Sequence, residues 1–183
     1  MLADAELVER FKSGEKPVFE ELFTKYQDMV FNIAWSMSGN RELAEDITQE
    51  AFVRAYLGLP AFRGKSAFKT WLYRIAVNQA LRTRGQFARR IEAEQPMEDL
   101  MLTSDERSPD EAAEASEMER SVREAIASLP EPQRAVITLR YLEGLELAEV
   151  AEVLGSPLGT VKSRIHHALK KISYLLRDWK DVE

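Results

Sequence analysis

Apolar residues recur every three or four positions through most of this chain, and no stretch shows the period-two alternation of a strand. Val18, Leu22, Phe23, Tyr26, Val30, Ile33 and Ala34 form one long amphipathic stripe, which Ser38-Gly39-Asn40 is expected to end. A second helix is predicted from near Arg41 to about Leu57, followed by a loop marked by Gly58, Pro60 and Gly64. A third is predicted from Ser66 or Ala67, with Trp71, Leu72, Ile75, Ala76 and Leu81 as its apolar residues. Together these segments can bury a core of about three or four helices within residues 1–90.

Residues 91–108 lack periodicity, are acidic, and have Pro96 within them and Pro109 just beyond, so they read as a flexible linker. Ser108-Pro109-Asp110-Glu111 then has the form of a helix start: a Ser cap, Pro at the first position and acids near the positive helix end. Met118, Val122, Ala125, Ile126 and Leu129 give that helix an apolar side. Pro130 and Pro132 interrupt it, and a second small bundle begins over Val136 to Tyr141. Leu147, Val150, Ala151 and Leu154 form a short helix, and Gly155-Ser156-Pro157 a turn. Ser156 is expected to cap the next helix and Pro157 to open it. On that last helix Val161, Ile165, Ala168, Leu169, Ile172 and Leu176 fall in one arc, with Lys162, Ser163, His166, His167 and Lys170 on the other side. The expected fold is all-α: two small helical domains, residues 1–90 and 109–183, joined by an acidic flexible linker over 91–108.

At 183 residues and 45% hydrophobic content, the chain suits one ordinary domain or two small ones. It has no Cys, which removes disulfides and thiolate metal sites. No apolar run approaches the roughly 20 residues of a membrane span. The N-terminal stretch mixes charge with apolar residues, unlike a signal peptide, so membrane insertion is not expected and a cytoplasmic location is. The net charge of −6 argues against nucleic acid until its distribution is considered. Arg63–Arg90 carries +8 and Ser156–Arg177 +5, each without an acid, whereas Ile91–Glu119 carries −10. Two basic blocks flanking an acidic one are two candidate phosphate-binding surfaces. The acidic block reads as a plain spacer, as a nucleic-acid mimic whose Ile91–Ser108 part lies in a partner's basic channel that nucleic acid later occupies, or as a tether that screens Arg63–Arg90.

The short helix, the three-residue turn and the basic, hydrogen-bonding front of the last helix have helix-turn-helix form, which suits a helix entering a major groove. His166 and His167 point about 100° apart on that helix, so hydrogen bonding to DNA or water is expected rather than a shared metal. In the first basic block, cations interleave with Phe62, Phe68, Trp71, Tyr73 and Phe87, a pattern that fits single-stranded DNA: rings stack on unpaired bases while Arg and Lys hold phosphates. Phe68, Trp71 and Leu72 fit a core equally well, and Trp71 stays open between the two roles. On the second helix Leu43, Ala44, Ile47 and Ala51 share one arc, and Asp46, Gln49, Glu50 and Val53 another. That second face is either plainly solvated or docked on a basic partner.

Ala44–Tyr56 (AEDITQEAFVRAY) followed by Phe62–Asn78 (FRGKSAFKTWLYRIAVN) resembles region 2 of the extracytoplasmic-function sigma factors of RNA polymerase, in the sigma-70 superfamily. Leu129–Ile172 (LPEPQRAVITLRYLEGLELAEVAEVLGSPLGTVKSRIHHALKKI) resembles their region 4. The order and spacing are the family's, and the resemblance covers nearly the whole chain. It implies an alternative sigma factor that directs promoter-specific initiation, with no enzymatic activity and no cofactor. Its implied partners are core polymerase (the clamp helices of the largest subunit and the flap of the second-largest), promoter DNA both duplex and single-stranded, and an anti-sigma factor. Stress response is the implied setting. Asp46, Gln49, Glu50 and Val53 are then expected to bind polymerase. Phe62, Arg63, Lys65, Ser66, Phe68, Lys69, Trp71, Arg74, Asn78 and Arg82 are expected at melted −10 DNA. Thr160, Lys162, Ser163, Arg164, His166, His167 and Lys170 are expected at duplex −35 DNA. An ordinary helix-turn-helix regulator is the weaker alternative, because it leaves the Ala44–Tyr56 face unexplained. An enzyme built on a carboxylate pair such as Glu45 and Asp46 has no supporting nucleophile, phosphate loop or metal cluster.

Overall fold

Helix α1 (Asp4–Lys12) opens the chain with Asp4 and Glu6 in its first turn and Arg10 and Lys12 in its last, charges that complement the helix dipole. Leu7, Val8 and Phe11 lie inward and are fully or almost fully buried. Asp4 ties α1 to the next helix by accepting from Lys25 Nζ and the Tyr26 hydroxyl, both at 2.5 Å. The computed structural model describes the backbone of residues 3–94 and 117–177 and the side chains of residues 3–86 and 118–177. The helix start expected at Ser108–Glu111 and most of the expected linker lie outside these residues.

A short 3₁₀ turn (Lys16–Val18) leads into α2 (Phe19–Ser38). Leu22, Tyr26, Val30, Ile33, Ala34 and Met37 form its buried stripe. Gly39 ends it at φ 68°, a left-handed conformation that glycine adopts without a Cβ penalty. Asn40 then caps α3 (Arg41–Gly58), its side-chain oxygen accepting from Leu43 N at 2.8 Å. After a 3₁₀ turn over Leu59–Ala61, α4 runs from Phe68 to Glu94. It therefore continues four residues into the segment read as linker, which has no Gly or Pro before Pro96 to stop a helix. Helices α2, α3 and α4 pack against one another, and α1 closes one side of α2.

The second module is α5 (Glu117–Ala127), α6 (Glu131–Ile137) with a π-helical turn over Thr138–Leu142, α7 (Leu147–Leu154) and α8 (Leu158–Leu175). α6 begins before Val136, because Pro132 occupies its first turn and needs no hydrogen-bond donor there. Glu146 and Glu149 make a reciprocal capping box on α7, and Gly155 at φ 57° ends it. No strand occurs among the described residues, so the all-α class holds.

The modules touch. α2 packs on α5, α6 and the π turn, and α4 packs on α7, so one continuous apolar cluster runs from Leu7 to Ala168. At its centre lies Arg134, only 2% exposed. Its guanidinium donates to the carbonyls of Met37 at 2.7 Å, Leu129 at 2.9 Å and Ile126 at 3.2 Å, and also to that of Ala127. Met37 lies in the last turn of α2, and Ile126 and Ala127 in the last turn of α5. Two negative helix ends thus face this charge where a carboxylate would otherwise be needed.

Candidate polymerase- and nucleic-acid-binding surfaces

Burial of Ala44, Ile47, Ala51 and Ala55 fixes the rotation of α3, and its opposite face presents the four residues expected at polymerase. Asp46, Gln49 and Val53 are exposed. Glu50 is half-buried and bridged to Arg54 at 2.9 Å. These residues form one wall of an open cleft of about 510 Å³, with Gln79, Arg82, Thr83 and Gln86 of α4 opposite. Beside it lies an apolar surface absent from the sequence reading, made by Phe19, Phe23, Phe52, Val53, Tyr56 and Leu57. Leu57 is 71% exposed there. The signal for it lay in Val53, Tyr56 and Leu57, which share a face at three- and four-residue spacing.

The residues expected at −10 DNA divide by burial. Phe68 is core, 4% exposed, and packs on Tyr26, Phe62 and Trp71. A ring so enclosed cannot stack on a base, which corrects that expectation. Phe62 and Trp71 are half-buried, with ring centroids 4.9 Å apart, so each keeps an open part. A Cβ on Gly58 would stand 3.1 Å from Trp71 Cζ2, so a side chain there would crowd the indole. Arg63, Lys65, Lys69, Asn78 and Arg82 are exposed, and Ser66 and Arg74 half-buried. Arg74, Asn78 and Arg82 follow each other at four-residue spacing along one stripe. Asn78 lies ten positions from Phe68, about 15 Å along the helix axis. The loop before α4 and Asn78 are therefore separate parts of one track.

Three basic-block members turn toward the second module. Arg74 donates to the Glu152 carbonyl at 2.8 Å, and its guanidinium lies 3.9 Å from the Glu152 carboxylate. Arg84 donates to the Met37 carbonyl at 3.0 Å and lies 3.8 Å from Glu131. Burial lowers its pKa, and Glu131 opposes that. Tyr73, almost fully buried, donates its hydroxyl to Glu143 at 3.1 Å. Burial pushes the Glu143 carboxyl up, while the Tyr73 hydrogen bond and nearby Lys69 pull it down.

In α8, Val161, Ile165 and Ala168 are buried, and Lys162, Ser163, His166, His167 and Lys170 are exposed opposite them. Leu169 was expected on the buried arc but is 42% exposed. Ser156 does not cap α8. Its hydroxyl donates to the Leu154 carbonyl at 3.3 Å and accepts from Arg164, so the helix starts without a side-chain cap. That bond turns Arg164 toward the turn and leaves it half-buried, as is Thr160. The two histidine rings are 5.6 Å apart, and no metal-ligand group of three or more occurs among the described residues. None of the described helices is long and apolar enough to cross a membrane.

A helix-turn-helix with a basic front is thus joined to a helical bundle with a basic aromatic track and an acidic face. Residues 22–91 match the family model for sigma-70 region 2, and residues 119–172 that for sigma-70 region 4. The RNA polymerase sigma-H factor of Pseudomonas aeruginosa is 39% identical over 95% of this chain and 94% of its own. The ECF RNA polymerase sigma-E factor of Escherichia coli strain K12 is 40% identical over 93% of each. The ECF sigma factor SigW of Bacillus subtilis is 34% identical over 93% and 95%. Among solved structures, CnrH in complex with the cytosolic domain of CnrY superposes with a TM-score of 0.71 at 26% identity, covering 97% of this chain and 99% of that one. The chain belongs to the extracytoplasmic-function sigma factors of RNA polymerase, and its function is promoter recognition in transcription initiation.

Proposed function

We propose that α3 docks on the clamp helices of core polymerase through Asp46, Gln49, Glu50 and Val53, with Tyr56 and Leu57 extending the contact. The flap of the second-largest subunit takes the second module. The α8 front reads duplex −35 DNA, and the α4 track holds the melted −10 strand. One observation carries this reading: α4 and α8 each bury an apolar back and expose cations and amide or imidazole groups at groove- or strand-binding spacing. The chain performs no bond chemistry. It favours strand opening by binding the open state better than the closed one. The domain limits proposed are residues 1–90 and 109–183. A cytoplasmic location fits the polymerase partner. An anti-sigma partner is proposed because similar folds have been solved in such complexes, among them the sigma factor RpoE with the anti-sigma factor NepR from Bartonella quintana. Transcription in vitro with core enzyme on a promoter library tests the whole reading: it should yield one −35/−10 pair, and no core binding would refute it.

Two residue-level outcomes follow. Ser163→Ala and His167→Ala should each shift preference at particular −35 base pairs, by about 1–3 kcal/mol per lost base contact. Lys170→Ala should weaken binding evenly and lower the salt slope by about one. Selection from randomised −35 sites separates the two classes. Asn presents both donor and acceptor to a base edge, so Asn78→Ala should slow open-complex formation and blur one −10 position. A pre-melted promoter should restore part of the rate, since the unpairing cost is then already met. Opening rates equal to the parent's would count against the assignment.

A further inference from the structure

Helix α1 carries none of the roles assigned so far, and the match to sigma-70 region 2 begins at residue 22, beyond its end. Its place is set by Phe11, which is fully buried and meets Phe19 and Tyr56, the latter edge-to-face at 5.1 Å. α1 also packs on the turn Leu59–Ala61, whose next residue is Phe62. With Phe11 inward, Lys12 points about 100° further around the helix. Its ammonium lies 5.9 Å from the centre of the Phe62 ring. Phe62 in turn stands 4.9 Å from Trp71, and this half-buried pair is the open aromatic part of the track proposed for melted DNA. The cation over Phe62 therefore comes from α1 and not from the Arg63–Arg90 block. Lys69 of that block lies over Tyr73 instead, at 5.5 Å.

Lys12 is weakly held. Glu9, one turn back on α1, accepts from it at 3.0 Å, but that carboxylate is 73% exposed. An exposed pair of this kind gives up its cation easily, because water screens both charges. Neighbouring cations are tied more firmly. Lys16 donates to the Phe11 carbonyl at 3.2 Å and covers the Phe11 ring at 3.9 Å, and Arg10 makes two hydrogen bonds to Glu15. Of these three cations Lys12 is the one free to change partner. A base stacked on the open edge of Phe62 lies roughly 3.4 Å from the ring, and its phosphate follows one sugar further out. The Lys12 ammonium, on a flexible four-carbon stem beside the same ring, reaches that shell without any shift of α1.

We propose that Lys12 is a phosphate-binding residue: it takes the phosphate of the nucleotide stacked on Phe62, and Glu9 holds its ammonium until that strand arrives. The proposal deepens the reading of Phe62 and Trp71 as a single-strand surface and rests on it. The melted strand is then gripped from two elements, α4 with its preceding loop on one side and α1 on the other. Its path past the aromatic pair is fixed by both.

The test uses holoenzyme assembled with saturating core polymerase and a short labelled single strand carrying the −10 sequence that the promoter library returns. Lys12→Ala should weaken strand binding about fivefold at low salt and lower the salt slope by about 0.7, the share of one phosphate on a single strand. Lys12→Arg, which keeps the charge, should retain most of the affinity. Glu9→Gln releases the ammonium, so it should tighten binding about twofold in the parent and do nothing when Lys12 is Ala. Glu6→Gln, the same charge change one turn earlier at an exposed position, should leave affinity unchanged in either background. Strands in which one phosphate at a time is replaced by a neutral methylphosphonate locate the contact. At a single position the parent should lose affinity and Lys12→Ala should not. Full affinity in Lys12→Ala overturns the proposal. So does a loss that leaves the methylphosphonate pattern unchanged, or a Glu9→Gln effect that is equal with and without Lys12, because the lysine then acts through overall charge. Phe62→Ala in the same holoenzyme isolates the underlying reading. If strand binding there is unaffected, the aromatic pair is not the DNA surface. If it falls while Lys12→Ala binds normally, the surface stands and α1 has no part in it.

Discussion

An Arg134→Met variant is expected to lose about 3–5 kcal/mol of stability, because several buried carbonyls are left without a donor. The guanidinium is 2% exposed, and all four of its recorded acceptors are backbone carbonyls, so its worth lies in hydrogen bonds to groups that have few other options. Met fills similar space but donates nothing. The last-turn carbonyls of α2 and α5 would then lose a partner in a water-poor site, at about 1–3 kcal/mol for each left unsatisfied. Arg84 still donates to the Met37 carbonyl, which limits the loss at that one acceptor. Arg134→Lys should recover only a small part, because an ammonium is a point charge and cannot reach both helix ends as the planar fork does. Urea unfolding followed by far-UV circular dichroism measures this. A loss under about 1 kcal/mol for the Met variant would show that water replaces the guanidinium freely.

Arg134 also marks where sequence stopped being informative. Its string fits a basic, solvated residue, and nothing local says that α2, almost a hundred positions earlier, supplies one of its acceptors. Where the cause is local, the sequence was legible. Gly39 and Asn40 place the α2–α3 boundary because a left-handed cap and a side-chain N-cap depend only on those residues. Gly155 ends α7 for the same reason. Ser156 shows the limit even of local chemistry, since a hydroxyl that can cap a helix can also bond to the Leu154 carbonyl and Arg164. Helix α1 went unread because its nine residues interleave charges closely with Leu7, Val8 and Phe11, and only packing on α2 resolves which face turns inward. The division among Phe62, Phe68 and Trp71 is likewise tertiary. Tyr26 covers Phe68 and Gly58 admits Trp71, and neither neighbour adjoins them in sequence. The candidate faces of α3 and α8 were legible as arcs, because helical period alone separates Ala44, Ile47 and Ala51 from Asp46, Gln49 and Val53. Arg74 and Arg84 were counted as free basic groups, since a charge sum does not say what each cation meets.

Reversing Asp46 and Glu50 together, to Arg in both cases, is expected to weaken core-polymerase binding about 100-fold or more, close to 2.7 kcal/mol. The two side chains lie four residues apart on the exposed face of α3, so one partner helix can meet both. Reversal turns attraction into repulsion at each, and losing a partner from an interfacial charge pair costs about 2–5 kcal/mol. The fold should survive. Glu50 gives up an exposed bridge to Arg54 and gains a like charge four residues away, which costs only a few tenths of a kcal/mol. Glu45→Arg is the control. It is the same charge change one position along, on a residue paired with Arg41 at 3.1 Å and rotated about 100° from Asp46. It should leave core affinity within about twofold of the parent. Adding Leu57→Asp to the double variant should weaken binding further if the apolar surface beside Val53 continues the same interface, because a charge would then be buried without a partner. Competition against a labelled parent for limiting core enzyme, with helicity checked by circular dichroism, gives all four values. A double variant that is fully helical and competes as well as the parent would place the polymerase contact elsewhere. If Glu45→Arg weakened binding as much as the double variant, the effect would belong to net charge and not to this face.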